Sequence, residues 1–192
     1  MADLEAVLDE PALTLAARLR AGEVSSAELV AGYLARIGQG NDKLGAFVQV
    51  TPRRALRTAR AVDQRLVRWR QAGANTPLPA LLGVPTGIKD TDPTRFMWNR
   101  GGSRAWRLVW SPFDSLQVKR IRRAGMIVLG KLATSEMAVM PIVETDLHPP
   151  ARNPWNPTHS SGGSSGGSSA AVAGGLLPIA QGADGAGSIR IP

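Results

Sequence analysis

A serine opens an amide or ester when three things meet: a nucleophilic hydroxyl, a base that takes its proton, and donors for the charge developing on the carbonyl oxygen. The chain has serines at unusual density in Ser160 to Ser169 (SSGGSSGGSS), and a further Ser188 in GADGAGSIRIP. It has no cysteine, which removes disulfide scaffolds, thiolate metal sites and cysteine nucleophiles together. Candidate bases are few. His148 and His159 are the two histidines, and neither stands in a G-x-S-x-G elbow after a clear strand. His159 is close in sequence to the serine-rich stretch, so a Ser–His pair stands as an alternative. A lysine serves as base only if its pKa falls from about 10.4 toward neutrality, by burial or a nearby positive charge. Lys89 ends an apolar, small-residue run, Gly83-Val84-Pro85-Thr86-Gly87-Ile88, which places it for such a shift.

The elements that must hold these groups follow from periodicity. The first 40 residues read as two short helices. Pro11 suits a first helical position and Gly22 the end of that helix. Ser25-Ser26-Ala27-Glu28 is a capping-box pattern, with Val24 and Leu29 placed for a hydrophobic staple. The second helix is expected to run to about Ile37, where Gly38 and Gly40 stop it. Phe47 to Val50 reads as a strand, Pro52 opens an arginine-rich helix, and Gly73 to Pro79 is a loop. Val84 to Lys89 has strand character. Phe113-Asp114 starts a helix carrying Leu116, Ile121 and Ala124, with basic residues at its end, where the dipole favours them. Gly125 suits the position after it. Met126 to Leu129 is a buried-strand run, and the helix-then-strand unit predicts a sheet with helical crossovers. Residues 141–160 read as an extended loop. The glycine–serine stretch has a linker's composition, yet helix-forming Ala170 to Gly174 and strand-like Leu176 to Ala180 follow it. A tight turn or close backbone approach explains it better. Gly125 to Leu132 has the glycines and lysine of a phosphate loop, but apolar strand fills it and the Ser/Thr for magnesium is missing.

Composition bounds the class. With 192 residues and 43% hydrophobic content, the chain can bury a core. MADLEAVLDEPALTLAARLR has no basic region followed by an apolar one, so no signal peptide is expected. No stretch approaches the roughly 18 apolar residues of a membrane span. A cytoplasmic protein without membrane association is the expectation. The net charge of +8 owes much to Arg53, Arg54, Arg57, Arg60, Arg65, Arg68 and Arg70. Leu56, Ala59, Val62, Leu66 and Trp69 form one apolar helical stripe and the arginines take the other faces. That is a solvated helix surface, and no nucleic-acid partner is expected. The five tryptophans, Trp69, Trp98, Trp106, Trp110 and Trp155, read as core more than as pocket.

GVPTGIKD at 83–90 and GGSSGGSSAAVAGGLLPIAQGADGAGSIRIP at 162–192 together resemble the amidase signature family. Weaker resemblance runs through FDSLQVKRIRRAGMIVLGKLATSE and RNPWNP to the N-terminal helices. The match therefore covers the family's N-terminal part, as one domain with a helical region at 1–75 and the start of an α/β core at 76–192. The resemblance implies a mixed sheet flanked by helices. It implies Lys89 as base, Ser164 as proton relay after a cis peptide bond, and Ser188 as nucleophile. It places the oxyanion hole at the N–H groups of Gly185, Ala186, Gly187 and Ser188, and has Ser165 support the lysine by hydrogen bonding. No metal or cofactor is implied, the partner is a small-molecule amide, and a homodimer is entertained. Two departures stand out. The family often has glycine where this chain has Ala186, and a methyl there disfavours positive φ. Its chains are also commonly more than twice this length. Two readings follow, an amidase from a truncated reading frame and a non-catalytic remnant lacking the pocket. GSIRIP differs from the GSIRQP associated with the glutamyl-tRNA amidotransferase subunit, and an amidotransferase-type subunit is a further alternative. The preference is for a stand-alone amidase acting on small aryl or alkyl amides, or on linear or cyclic amide oligomers.

Overall fold

The computed structural model describes residues 4–192. Four helices lead the chain: α1 (Leu4–Leu8), α2 (Ala12–Ala21), α3 (Ser26–Leu44) and α4 (Pro52–Gln71). The strand β1 (Phe47–Val50) interrupts them. Pro11 precedes α2 as its cap instead of entering its first turn, and Gly22 closes it at φ 80°. At the start of α3, the Ser25 side chain accepts from the Glu28 N–H while the Glu28 carboxylate accepts from the Ser25 N–H, a complete capping box.

The helix α3 does not stop at Gly38 and Gly40. It runs to Leu44 and ends at Gly45, in the left-handed region. A glycine inside a helix costs about 1 kcal/mol. Here the last turns bury Ile37 and Leu44, and the Asn41 side chain both donates to and accepts from the Phe47 backbone. Those contacts outweigh the two glycines. Along α4 the apolar stripe falls in part as the spacing predicts. Ala59 and Leu66 are buried and Leu56 and Val62 pack against the core, while Arg53, Arg57, Arg60, Arg65 and Arg68 are exposed. Trp69 is half-buried and donates to the Thr76 carbonyl instead of joining the core. Arg54 and Arg70 are half-buried, donating to the Arg95 and Leu19 carbonyls.

The second part supplies β2 (Pro85–Lys89), β3 (Met97–Trp98), β4 (Trp110–Ser111), α5 (Leu116–Arg123) and β5 (Ile127–Leu132). It continues with β6 (Arg152–Asn153), β7 (Asn156–Ser160) and α6 (Gly166–Ala173). The main sheet has the order β1-β5-β2, with β1 antiparallel and β2 parallel to β5, so the sheet is mixed. Its central strand β5 is buried throughout. The edge strand β1 comes from within the helical region, which ties residues 4–71 to the same sheet. Helix α5 is the crossover between β2 and β5, capped by Ser115 and ended by Gly125 at φ 85°.

Three expectations change here. Residues 141–160 contain a β6–β7 hairpin, whose strands close across Asn153 and Asn156. Leu176 to Ala180 forms no strand and makes one parallel bridge, Gly87 to Ala180. The tryptophans are not core: Trp106, Trp110 and Trp155 are exposed, and Trp98 and Trp69 are half-buried. The core is aliphatic instead, built from α1–α4 against one face of the sheet around Leu15, Leu19, Leu29, Leu66 and Leu129. Among the described residues no helix is long and apolar enough to cross a membrane.

Candidate active site

The glycine–serine stretch is helix and turn, not linker. Its helix α6 approaches the end of β5 so closely that a Cβ on Gly167 would lie 2.3 Å from the Ala133 nitrogen and 2.6 Å from the Ala46 carbonyl oxygen. Only glycine allows that approach, and the Gly167 N–H donates to the Ala133 carbonyl across it. The peptide bond between Gly163 and Ser164 is cis. This arrangement sets Ser164 against the end of β2.

There the Lys89 Nζ donates to the Ser164 Oγ at 2.7 Å, with each residue 1% exposed. Burial pulls the Lys89 pKa down from 10.5 to about 8, against the opposing pull of the Asp92 and Asp184 carboxylates. The lysine is thus held near the range in which a base is useful.

The segment after α6 returns past both residues. Gln181 reaches in first. Its Oε1 accepts from the Lys89 N–H at 2.9 Å, and its Nε2 donates to Asp92 Oδ2 at 3.0 Å. Further on, Asp184 organises the turn that carries Ser188. Its Oδ1 accepts from the Gly187 N–H at 2.8 Å, and its Oδ2 accepts from the N–H groups of Ile189 and Arg190. The Arg190 guanidinium completes a pair at 2.9 Å. That guanidinium, with the loop N–H groups, holds the Asp184 carboxyl far below the usual carboxylate range. The positive φ of this turn, 108°, falls on Gly187, and Ala186 keeps a negative φ. The alanine methyl is therefore accommodated without strain.

A cavity of about 340 Å³ opens over these groups, lined by Lys89, Gly163, Ser164, Gly185, Ala186 and Ser188. Val139, Met140, Pro141 and Ile191 add apolar lining. Among the described residues, the N–H groups of Gly185, Ala186 and Ser188 donate to no protein acceptor, while the Gly187 N–H is taken by Asp184. The Ser188 hydroxyl is half-buried on the cavity wall and makes no hydrogen bond to Ser164 in this conformation.

Two further expectations change. Ser165 does not bond Lys89. Its Oγ accepts from the Ala183 N–H and donates to the Ala183 carbonyl, and its N–H donates to the Ser188 carbonyl, so it anchors the loop that carries Ser188. The Ser–His alternative finds no geometry either. His159 is exposed on β7 beside Thr158, His148 bonds the Pro149 carbonyl, and neither lines the cavity. Gln181 and Asp184 join the site without a signal in the sequence. Their side chains act on backbone groups far along the chain or in a turn, which leaves no periodic pattern. Among the described residues, no group of three or more His, Cys, Asp or Glu could hold a metal ion.

The model of the family described as Amidase matches residues 28–192. The chain belongs to the amidase family. It is 39% identical over 181 residues to a putative amidase of Synechocystis sp. (strain ATCC 27184 / PCC 6803 / Kazusa), covering 94% of this chain and 35% of that protein. It is 43% identical over 178 residues to a glutamyl-tRNA(Gln) amidotransferase subunit of Methylococcus capsulatus, covering 93% of this chain and 35% of that one. Among solved structures, 6-aminohexanoate cyclic dimer hydrolase complexed with substrate superposes with a TM-score of 0.83 at 32% identity, over 95% of this chain and 36% of that one. The chain thus spans about a third of the length of these relatives, and the fold it shares with them is that of their N-terminal part.

Proposed function

We propose that the protein hydrolyses the carbon–nitrogen bond of amides through a seryl acyl-enzyme on Ser188. The reading rests above all on the buried Lys89–Ser164 hydrogen bond opening onto a cavity that also holds Ser188. Neutral Lys89 accepts a proton from Ser164 as Ser164 takes one from Ser188. Ser188 and Ser164 line the same cavity, and the transfer requires the two hydroxyls to meet there. The Ser188 Oγ then bonds to the carbonyl carbon, and the resulting oxyanion faces the unpaired N–H groups of Gly185, Ala186 and Ser188. The carbon–nitrogen bond breaks as the relayed proton passes back to the leaving amine. Water, deprotonated by the same route, releases the acid. No step calls on a metal or cofactor.

Burial supports the base assignment, because a lysine at about 8 keeps a useful neutral fraction near neutral pH. The apolar lining of Val139, Met140, Pro141 and Ile191 suits a substrate with an apolar acyl or aryl part. Similarity to a subunit of an amidotransferase gives a second reading, in which the protein works inside a larger assembly. The test is hydrolysis of a panel of aryl and alkyl amides by the parent chain and by Ser188→Ala. Turnover that disappears with Ser188 supports the reading. Turnover that survives in Ser188→Ala, or absence of turnover from folded parent, overturns it.

A further inference from the structure

The side chain of Gln181 joins three elements that the proposed reaction needs in register. Its Oε1 accepts the N–H of Lys89 at 2.9 Å, and its Nε2 donates to Asp92 Oδ2 at 3.0 Å. Its own N–H donates to the Gly87 carbonyl in β2, and its carbonyl accepts from the Ser168 Oγ of α6 at 2.7 Å. One residue therefore links the strand that carries the base, the helix that follows Ser164 and the segment that leads to Ser188. The second oxygen of Asp92 accepts from Ser115 Oγ at 3.1 Å, so the carboxylate is fixed from two sides.

We infer that Gln181 is a positioning residue, whose carboxamide locks the Lys89 main chain to Asp92 and so fixes where the amine meets Ser164. This rests on the reading of Lys89 as base. A carboxamide is the group this place requires. One end must accept from a main-chain N–H and the other must donate to a carboxylate, and a carboxamide does both from one uncharged planar group. A carboxylate would meet Asp92 with like charge, and an apolar group would leave the Lys89 N–H and an Asp92 oxygen without partners. The charged groups facing Lys89 are Asp92 beyond β2 and Asp184 in the Ser188 turn, with the Asp90–Lys131 pair beside its backbone.

The experiment reads Lys89 directly. The chain has four lysines, Lys43, Lys89, Lys119 and Lys131, so 13Cε-lysine NMR titration resolves the site, with Lys89→Met as assignment control. Gln181→Glu keeps the acceptor for Lys89 and adds negative charge, so the Lys89 midpoint should rise by about one pH unit. Asp92→Asn removes the opposing charge and should lower it. Gln181→Leu should slow fluorophosphonate labelling of Ser188 about tenfold or more at every pH, because the amine is no longer held in place. Unmoved Lys89 midpoints in both Gln181→Glu and Asp92→Asn overturn the inference. So does labelling of Gln181→Leu at the rate of a parent that is itself labelled. If the midpoints move as expected yet Ser188 of the parent is never labelled, the positioning role holds and the hydrolytic reading falls.

Discussion

Lys89 Nζ and Ser164 Oγ lie 2.7 Å apart, and the structure gives water almost no access to either. The lysine sits at the end of β2 and the serine before α6, so the contact depends on the mixed sheet bringing residues 75 positions apart together. A cation so placed loses hydration that one serine hydroxyl cannot replace, and its neutral form gains.

Rate should therefore follow deprotonation of Lys89. Acylation of Ser188 is expected to rise with pH around a midpoint near 8 and to level off above it. A stability effect accompanies it. Lys89 binds its proton less tightly folded than unfolded, so its charged form opposes folding below about 8. That opposition is relieved as pH rises from about 8 toward 10.5. The melting temperature of the parent relative to Lys89→Met should thus increase across that window, by paired thermal melts.

Removing the relay should hurt chemistry far more than folding. Ser164→Ala is expected to lower acylation by about 10²- to 10⁴-fold, the usual scale for a positioned proton-transfer group. Stopped-time labelling with circular dichroism as a folding control checks it.

Asp184 gathers three loop N–H groups and the Arg190 guanidinium. Asp184→Ala frees the Gly187 N–H and loosens the turn that presents Ser188, with labelling expected to drop about a hundredfold. Because its carboxyl stays ionised well below the usual carboxylate range, this turn should remain ordered as pH falls through about 4, the ordinary carboxylate value.

The Lys131–Asp90 pair is buried beside the site, with the ammonium also donating to Thr94 and Asn99 side chains and to the Asp92 carbonyl. Lys131→Met strands the Asp90 carboxylate and should cost roughly 3–5 kcal/mol by denaturant unfolding. The double variant with Asp90→Asn should recover part of that loss, a coupling read from the full mutant cycle.

Gly167→Ala drives a methyl into the Ala133 and Ala46 backbone, where no flexible side chain can yield. About 1–3 kcal/mol of destabilisation is expected in equilibrium unfolding.

Local chemistry explains what could be read in advance. Capping at Ser25, the stripe on α4, the buried strand β5 and the lysine at the end of β2 each leave a short-range pattern of residue types. The continuation of α3 through Gly38 and Gly40 leaves none, since it depends on Asn41 reaching the start of β1. The roles of Ser165 and Gln181 are hidden for the same reason, since each bonds backbone groups that only the folded chain brings near. Asp184 instead bonds N–H groups three to six residues on in its own turn, which no periodic pattern marks. Gly187 shows the limit from the other side. The family resemblance implies that its N–H joins an oxyanion hole, but Asp184 Oδ1 accepts from it.

The most direct test of the central claim is mass-spectrometric location of a fluorophosphonate adduct on the parent chain, followed across pH. A single adduct on Ser188 is expected, forming with a midpoint near pH 8 and lost in Lys89→Met. An adduct on another residue, or labelling of Ser188 that persists unchanged in Lys89→Met, would contradict it.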